Sequence, residues 1–343
     1  MRALAVLKPG ITEIVDIPAP EISEFECLVR VRACGFCNCS DIEIINNNHV
    51  NIDFAYPIIL GHEGAGEIME IGARVKNYHV GDRIVFPEGR TQQGGYKPFA
   101  GHYCEYAVVR DLAAMAEAGM DVKAMVDENI LCSFPRVFPK EISFEDAAVL
   151  VPARETFSAV RNIGVTEGSK VLIYGDGPNG FALCAFSRIF GASWIGVAGH
   201  HANRLKHIKE KGNADVIIDS SATDVGKAVK DVGLDIVIDA VGRMEILVSG
   251  SHMINAGGKV VLYSGVHKEH SLLDMYAWAN NVTFHKHFFP CGDLDAHDEV
   301  IRLILDGGVN LKDFYSHLVP LDEFQRAIDI TNTREAFKAV VAI

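Results

Sequence analysis

The sequence predicts a two-domain α/β protein, a β-rich domain followed by a domain of alternating strands and helices. Three observations carry this. Residues 1–33 alternate apolar and polar side chains, as in Arg2-Ala3-Leu4-Ala5-Val6 and Cys27-Leu28-Val29-Arg30-Val31-Arg32, with Pro18 and Pro20 between the runs. A period of two is the signature of strands. Residues 171–192 read as an apolar strand, a glycine turn and an amphipathic helix. Apolar runs then recur at 194–198, 214–219, 235–239 and 259–263 between helical stretches, which predicts a parallel sheet with right-handed crossovers.

The turn in the second of these stretches has a particular spacing. Val171–Tyr174 leads into Gly175-Asp176-Gly177-Pro178-Asn179-Gly180, and Phe181, Leu183, Cys184, Phe186, Ile189 and Phe190 follow at helical spacing. In a G-x-G-x-x-G turn the first glycine permits the tight bend and the second lets backbone approach a pyrophosphate. The third lets helix and strand pack closely. The helix N-terminus adds free N–H groups and the positive end of its dipole. Strand, turn and helix in this order predict a Rossmann-type dinucleotide-binding unit.

Composition limits the partners. A chain of 343 residues is long enough for two domains with separate cores. Its 45 acidic and 32 basic residues give a net charge of −13, which argues against a nucleic-acid or anionic-membrane partner. No apolar run approaches the ~20 residues that span a bilayer, and the opening MRALAVLKPG is too short in apolar residues for a signal peptide. A cytoplasmic location is expected. The eight cysteines, at 27, 34, 37, 39, 104, 132, 184 and 291, show no paired framework. They are expected as core residues or metal ligands rather than disulfides.

The first domain carries a second signal. Ala33-Cys34-Gly35-Phe36-Cys37-Asn38-Cys39-Ser40-Asp41 places three thiols beside a hydroxyl and a carboxylate, a composition suited to a soft metal ion. At Pro57–Gly66 an apolar strand delivers His62-Glu63 into a glycine-rich turn, a reasonable source of further ligands.

With these segments together, the chain resembles the zinc-dependent medium-chain dehydrogenase/reductase superfamily, in particular its alcohol, polyol and sugar dehydrogenases. The matching pieces are GFC with Ser-Asp downstream (35–41), GHEGAGEIMEIG (61–72), VGDRIV (80–85), a shortened HYCEYAVV (102–109) and the glycine turn at 175–180. They follow the family's order over nearly the whole chain. The resemblance implies a GroES-like catalytic domain over 1–152 and 291–343, and a Rossmann domain over 153–290. The active site would lie in the cleft between them.

The resemblance also implies a ligand set. Cys37, in the Gly-x-Cys context, is preferred to Cys39, and His62 and Glu63 match the family's His-Glu pair. Ser40 matches the hydroxyl of the proton relay, although two residues, Asn38 and Cys39, separate it from Cys37 where the family has one. Glu43 stands near the place of the relay histidine found in many alcohol dehydrogenases. The family's third ligand belongs at or near Val151, which has no donor atom, and Glu155 lies one helical turn further on the same face. The third protein ligand is therefore Glu63, Glu155 or missing. Between Gly81 and Tyr106 there is one cysteine, Cys104, too few for a four-thiolate structural zinc. One catalytic zinc and no structural zinc are expected.

For the cofactor, NAD-preferring relatives end the second strand with an acid that holds the ribose 2′-hydroxyl. Here that position is Gly199, followed by His200, His201 and Arg204. A small residue followed by cationic donors suits a 2′-phosphate, so NADP(H) is expected over NAD(H). In relatives the turns at Val241 and at Ser264-Gly265-Val266 flank the nicotinamide.

Residues 111–128 read as a helical insertion, either solvated or serving as a lid or oligomer contact. Residues 142–163 read as a helix pair.

The expected activity is reversible hydride transfer between NADP(H) and a secondary alcohol, polyol or sugar hydroxyl, with the proton leaving through Ser40. The Cys-Asn-x-Ser-Asp variant at 37–41 favours polyols and sugars. Rival readings are a zinc-free reductase of enones or quinones, and a nucleotide-binding protein without turnover. The resemblance implies a homodimer or homotetramer.

Overall fold

The structure, a computed structural model, describes residues 1–48, 54–87, 94–128, 130–266, 271–272, 274–279 and 281–343. Two compact units emerge, Met1–Val151 with Tyr315–Ile343, and Pro152–Phe314.

The first unit is built mostly from strands. β1 (Arg2–Lys8) and β2 (Ile11–Asp16) form a hairpin in the register Arg2↔Asp16. Gly10 turns it at φ +78°, a left-handed conformation that favours glycine. β3 (Glu26–Gly35) is the spine, pairing antiparallel with β5 (Gly64–Ile71) and β8 (Tyr106–Arg110). Its Cys27, Val29, Val31 and Ala33 are buried, as period-two alternation requires. α1 (Ser40–Asn46) follows β3 and stops where Asn47 turns left-handed at φ 55°. β4 (Ile58–Ile59), β6 (Arg83–Val85) and β7 (Lys97–Pro98) are short.

The 111–128 segment is two helices, α2 (Leu112–Glu117) and α3 (Val122–Glu128). Asp111 caps the first by accepting from Ala114 N–H, and it also accepts from the N–H groups of Lys76 and Asn77. Ala114 and Met115 bury against Phe25, so the segment is docked on its own unit. β9 (Arg136–Phe138) and α4 (Phe144–Ala147), the latter capped by Ser143, complete this limb.

α5 (Leu150–Ile163) leads into the second unit. Its strands are β10 (Lys170–Tyr174), β11 (Trp194–Gly199), β12 (Val216–Asp219), β13 (Leu234–Asp239), β14 (Ile254–Leu262) and β15 (Thr283–Lys286). Between them run α6 (Pro178–Ile189), α7 (Ala202–Lys211), α8 (Val225–Val229) and α9 (Met244–Ser251). The sheet is parallel in the order β12-β11-β10-β13-β14-β15. This order reverses direction at β10, the topological switch point of a Rossmann sheet. Leu172, Val237 and Ala198 pack in one core cluster, and the rings of Phe157, Phe181, Phe186 and Phe314 meet edge-to-face or tilted in another.

Residues 291–314 differ from expectation. Assigned from the sequence to the catalytic domain, they pack in the second unit. α10 (His297–Leu305) pairs Glu299 with Arg161 of α5, and Phe314 meets α6 through Phe181. The chain rejoins the first unit only at Tyr315. There β16 (His317–Pro320), α11 (Phe324–Asn332) and β17 (Ala339–Ala342) follow, with β17 antiparallel to β3 in the register Val341↔Cys34.

Candidate functional site

In the first unit, three predicted ligands converge. Cys37 lies in the turn between β3 and α1, where Asp41 N–H donates to its carbonyl at 3.3 Å. His62 and Glu63 lie between β4 and β5, after Gly61 at φ +100°. A side chain on Gly61 would meet Tyr103 at 2.8 Å, so close packing as well as backbone angle demands glycine there. One donor atom from each of Cys37, His62 and Glu63 lies within 4.8 Å of the other two.

A buried second layer holds these donors. Asp41, fully buried, accepts from Cys37 N–H at 3.0 Å and from the Tyr103 hydroxyl at 2.9 Å. Its other oxygen faces His62 Nδ1 at 3.3 Å, which leaves Nε2 for an ion. Burial pushes His62 toward the neutral form, but the Asp41 carboxylate and the Cys37 thiol outweigh it and hold its pKa well above the usual value. The Lys338 ammonium lies 2.7 Å from one Glu63 oxygen and 3.0 Å from the other, and donates to Phe36 O at 3.1 Å. Burial opposes the Lys338 charge, and Glu63 more than offsets it. A Cβ on Gly35 would stand 2.2 Å from Glu63 Oε2, so the carboxylate fills the space that this glycine leaves.

Behind the donors, His102 Nδ1 accepts from Gly64 N–H at 2.8 Å. Burial above all, with the nearby His62, lowers its pKa to about 3 and keeps it neutral. A thiol, an imidazole and a carboxylate, each steadied by a further group, suit zinc with one coordination position left open.

The other expected residues are placed as follows. Ser40 is the first residue of α1 and half-buried. Cys39 is exposed, its sulfur 3.2 Å from Glu43 Oε1, and stands outside the donor cluster. Val151 is buried and offers only carbon. Glu155 lies on α5 in the second unit and is not among the clustered donors. Cys104 is buried, its sulfur 3.0 Å from the carbonyls of Gly101 and Tyr106. Part of the stretch read for a structural zinc, residues 88–93, lies outside the described residues.

In the second unit the glycine turn has the required shape. Gly175 sits at φ +127° and donates to Ala198 O at 2.9 Å. A Cβ on Gly180 would lie 1.9 Å from Gly175 O, which only glycine avoids, while the space above Gly177 is open. Gly177 is the N-cap of α6, Pro178 begins the helix, and Asn179 is exposed beside it. The open space and free helix N-terminus fit a pyrophosphate. At the far end of the sheet, Asp239 accepts from the N–H groups of Val241, Gly242 and Arg243 at 2.8, 3.0 and 2.8 Å. A Cβ on Gly242 would stand 2.4 Å from Gly265 O, so the Val241 and Ser264-Gly265 turns touch. Val266 packs against the Leu247 cluster.

The NADP(H) expectation assumed that no carboxylate stands at the end of β11. One does. Asp176 Oδ2 accepts from the N–H groups of His200 and His201, both at 2.7 Å, and lies 2.4 Å from where a Gly199 Cβ would be. Arg204, expected to face a phosphate, is buried within α7. Asp176 carries no sequence signal for this role, because its carboxylate comes from the glycine turn rather than from β11.

Comparisons agree with this architecture. Residues 23–118 match the alcohol dehydrogenase GroES-like domain family, and residues 178–306 match the zinc-binding dehydrogenase family. Sorbitol dehydrogenase of Ovis aries is 26% identical over 345 residues, covering 99% of this chain and 95% of that protein. Sorbitol dehydrogenase of Bacillus subtilis strain 168 is 30% identical over 267 residues, 76% of this chain and 74% of that protein. A short chain alcohol dehydrogenase from E. coli CFT073, solved with NADH, shares the fold at a TM-score of 0.82 and 20% identity, covering 100% of this chain and 99% of that one. The fold and donor set define a two-unit oxidoreductase of the alcohol and polyol dehydrogenase type. The chain belongs to the zinc-dependent medium-chain dehydrogenase/reductase superfamily.

Proposed function

We propose that this enzyme moves a hydride reversibly between a nicotinamide dinucleotide and a secondary alcohol, with polyols or sugars as substrates. The observation that carries the reading is the convergence of Cys37, His62 and Glu63 over a buried layer of Asp41 and Lys338. These three would hold one zinc ion. Val151 offers no donor, and no third ligand is needed from Glu155. Bound zinc supplies Lewis acidity toward an alcohol or carbonyl oxygen. A bound nicotinamide supplies the hydride acceptor or donor.

The chain's own residues do the rest. Asp41 faces Nδ1 of the His62 ring, so that Nε2 would be the nitrogen left to hold the ion. Lys338 holds the Glu63 carboxylate in place over Gly35. The Ser40 hydroxyl, half-buried at the start of α1, would relay the proton, accepting the substrate's in oxidation as it gives its own on to water, with the reverse in reduction. The glycine turn at 175–180 receives the pyrophosphate at the N-terminus of α6. A polyol substrate is supported by the two sorbitol dehydrogenases among the relatives. The NADP(H) preference is not carried forward, because its premise at Gly199 fails.

Two further features belong to the proposal. Among the described residues β15 ends the sheet of the second unit, and Phe284 on it is exposed, as are Leu272, Met275, Tyr276 and Phe288 of the same unit. An edge strand and exposed apolar side chains in one unit suit pairing with a second copy, hence a homodimer or a homotetramer built from such dimers. The eight cysteines are free, which suits the reducing cytoplasm. Among the described residues no helix is long and apolar enough to cross a membrane.

The test is turnover on a panel of sorbitol, xylitol, simple secondary alcohols, enones and quinones. The proposal expects oxidation of a polyol or sugar alcohol, abolished by Cys37→Ser. Val151 favours the zinc-free reductase as a second reading, and reduction of an enone unaffected by Cys37→Ser would establish it instead.

A further inference from the structure

We propose that Asp176 is the specificity-determining residue for the dinucleotide, its carboxylate filling the anion site that a 2′-phosphate would need, so that the enzyme selects NAD(H) over NADP(H). This rests on the reading that the second unit binds a nicotinamide dinucleotide.

The place is identified by what Gly199 lacks. β11 ends at Gly199, the position from which an acid reaches the adenosine ribose in NAD-dependent Rossmann units. A Cβ built there would stand 2.4 Å from Asp176 Oδ2, 2.5 Å from its Cβ and 2.7 Å from its Cγ. The carboxyl group of Asp176 therefore occupies the volume of the missing side chain. Glycine at 199 is required because the acid arrives from the neighbouring turn. Acid and glycine have exchanged places.

The donors that a phosphate would use are taken. Oδ2 of Asp176 accepts from both backbone N–H groups after the strand, His200 and His201, at 2.7 Å each. The His201 ring nitrogen Nδ1 lies 3.0 Å from each Asp176 oxygen. The His200 ring is turned to Ser220, Nδ1 to Oγ 3.1 Å. Arg204 is buried. A second acid, Asp219, stands in register beside Gly199 on β12. Every group that reads in the sequence as a phosphate ligand is thus engaged or buried, and the local charge opposes a phosphate. Burial works against ionisation of Asp176, but the His201 and His200 contacts outweigh it and hold its pKa below the usual carboxylate value. Oδ1 meets only the His201 ring among these contacts, and a carboxylate oxygen accepts more than one bond, so it can still take a ribose 2′-hydroxyl.

The experiment measures dissociation constants of NADH and NADPH by calorimetry on the wild type, Asp176→Asn and Asp176→Ser. The wild type should bind NADH on the order of 100-fold more tightly than NADPH, as a like charge placed against a phosphate implies. Asp176→Ser, which frees the two N–H groups and removes the charge, should lower that ratio by at least about tenfold, mainly by tighter NADPH binding. Asp176→Asn keeps the shape and an acceptor oxygen, so a smaller fall in the ratio guards against misreading a folding defect. Wild-type binding of NADPH equal to or tighter than NADH would overturn the proposal while leaving the dinucleotide site standing. A ratio unchanged in both folded variants would also overturn it. Binding of neither dinucleotide would overturn the reading beneath it, and this proposal with it.

Discussion

Lys338 holds Glu63 by an ion pair of 2.7 Å across 275 residues of sequence. Both side chains are 5% exposed, so neither charge has water to fall back on. The last segment of the chain therefore belongs to the candidate metal centre as much as the Cys37 turn does.

Replacing Lys338 by Met should leave Glu63 as a buried, uncompensated carboxylate. Breaking such a pair from one side costs about 3–5 kcal/mol. Chemical denaturation of zinc-free Lys338→Met should show a loss of that order, and added zinc should narrow the gap by supplying positive charge. An equal loss with and without zinc would place Glu63 outside the coordination shell.

Asp41→Asn removes the charge that faces His62 Nδ1 while keeping an acceptor for Cys37 N–H and Tyr103. A second-layer loss of this kind lowers metal affinity by roughly 10–100-fold. Competition with a chromophoric zinc chelator reads it directly, and unchanged affinity would show that Asp41 serves packing alone.

His102 gives stability a pH dependence. The ring is neutral in the fold, with a pKa of about 3, and titrates near its ordinary value when the chain unfolds. Its depressed folded value makes the unfolded state the better proton acceptor. Stability is then complete above about pH 6.5 and declines as pH falls, by roughly 3 kcal/mol at pH 4. His102→Asn, which keeps an acceptor for Gly64 N–H, should flatten this decline in zinc-free protein. Parallel melting curves for the two proteins between pH 7 and pH 4 would contradict the assignment.

Phe284→Lys places a charge on the open edge strand β15. If that edge pairs with a second copy, light scattering should show the smaller species accumulating at micromolar concentration, with melting of the second unit otherwise preserved. An unchanged mass would move the oligomer contact elsewhere.

Much of this was legible in the sequence because it is local. The glycine turn and the strands around it announce the parallel sheet, since period, glycine position and helix start fall within twenty-odd residues. Cys37, His62 and Glu63 stood out as reactive groups at strand ends. Lys338 and Tyr103 did not, because nothing in their neighbours signals that β17 and the 102–104 turn return to β3 and Asp41. The boundary at Tyr315 was misplaced for a similar reason. α10 and Phe314 are held by contacts to α5 and α6 that sequence order does not reveal. Asp176 was visible as a letter but read as a turn residue. Only the closeness of two loops shows that its carboxylate occupies the place of a Gly199 side chain.

The most direct test of the metal centre is zinc per chain, by elemental analysis, in protein purified without added metal and in Cys37→Ser. Close to one zinc is expected in the wild type and close to none in the variant. A wild-type value near zero that added zinc does not restore would contradict it, and a value near two would reveal a second site beyond Cys37, His62 and Glu63.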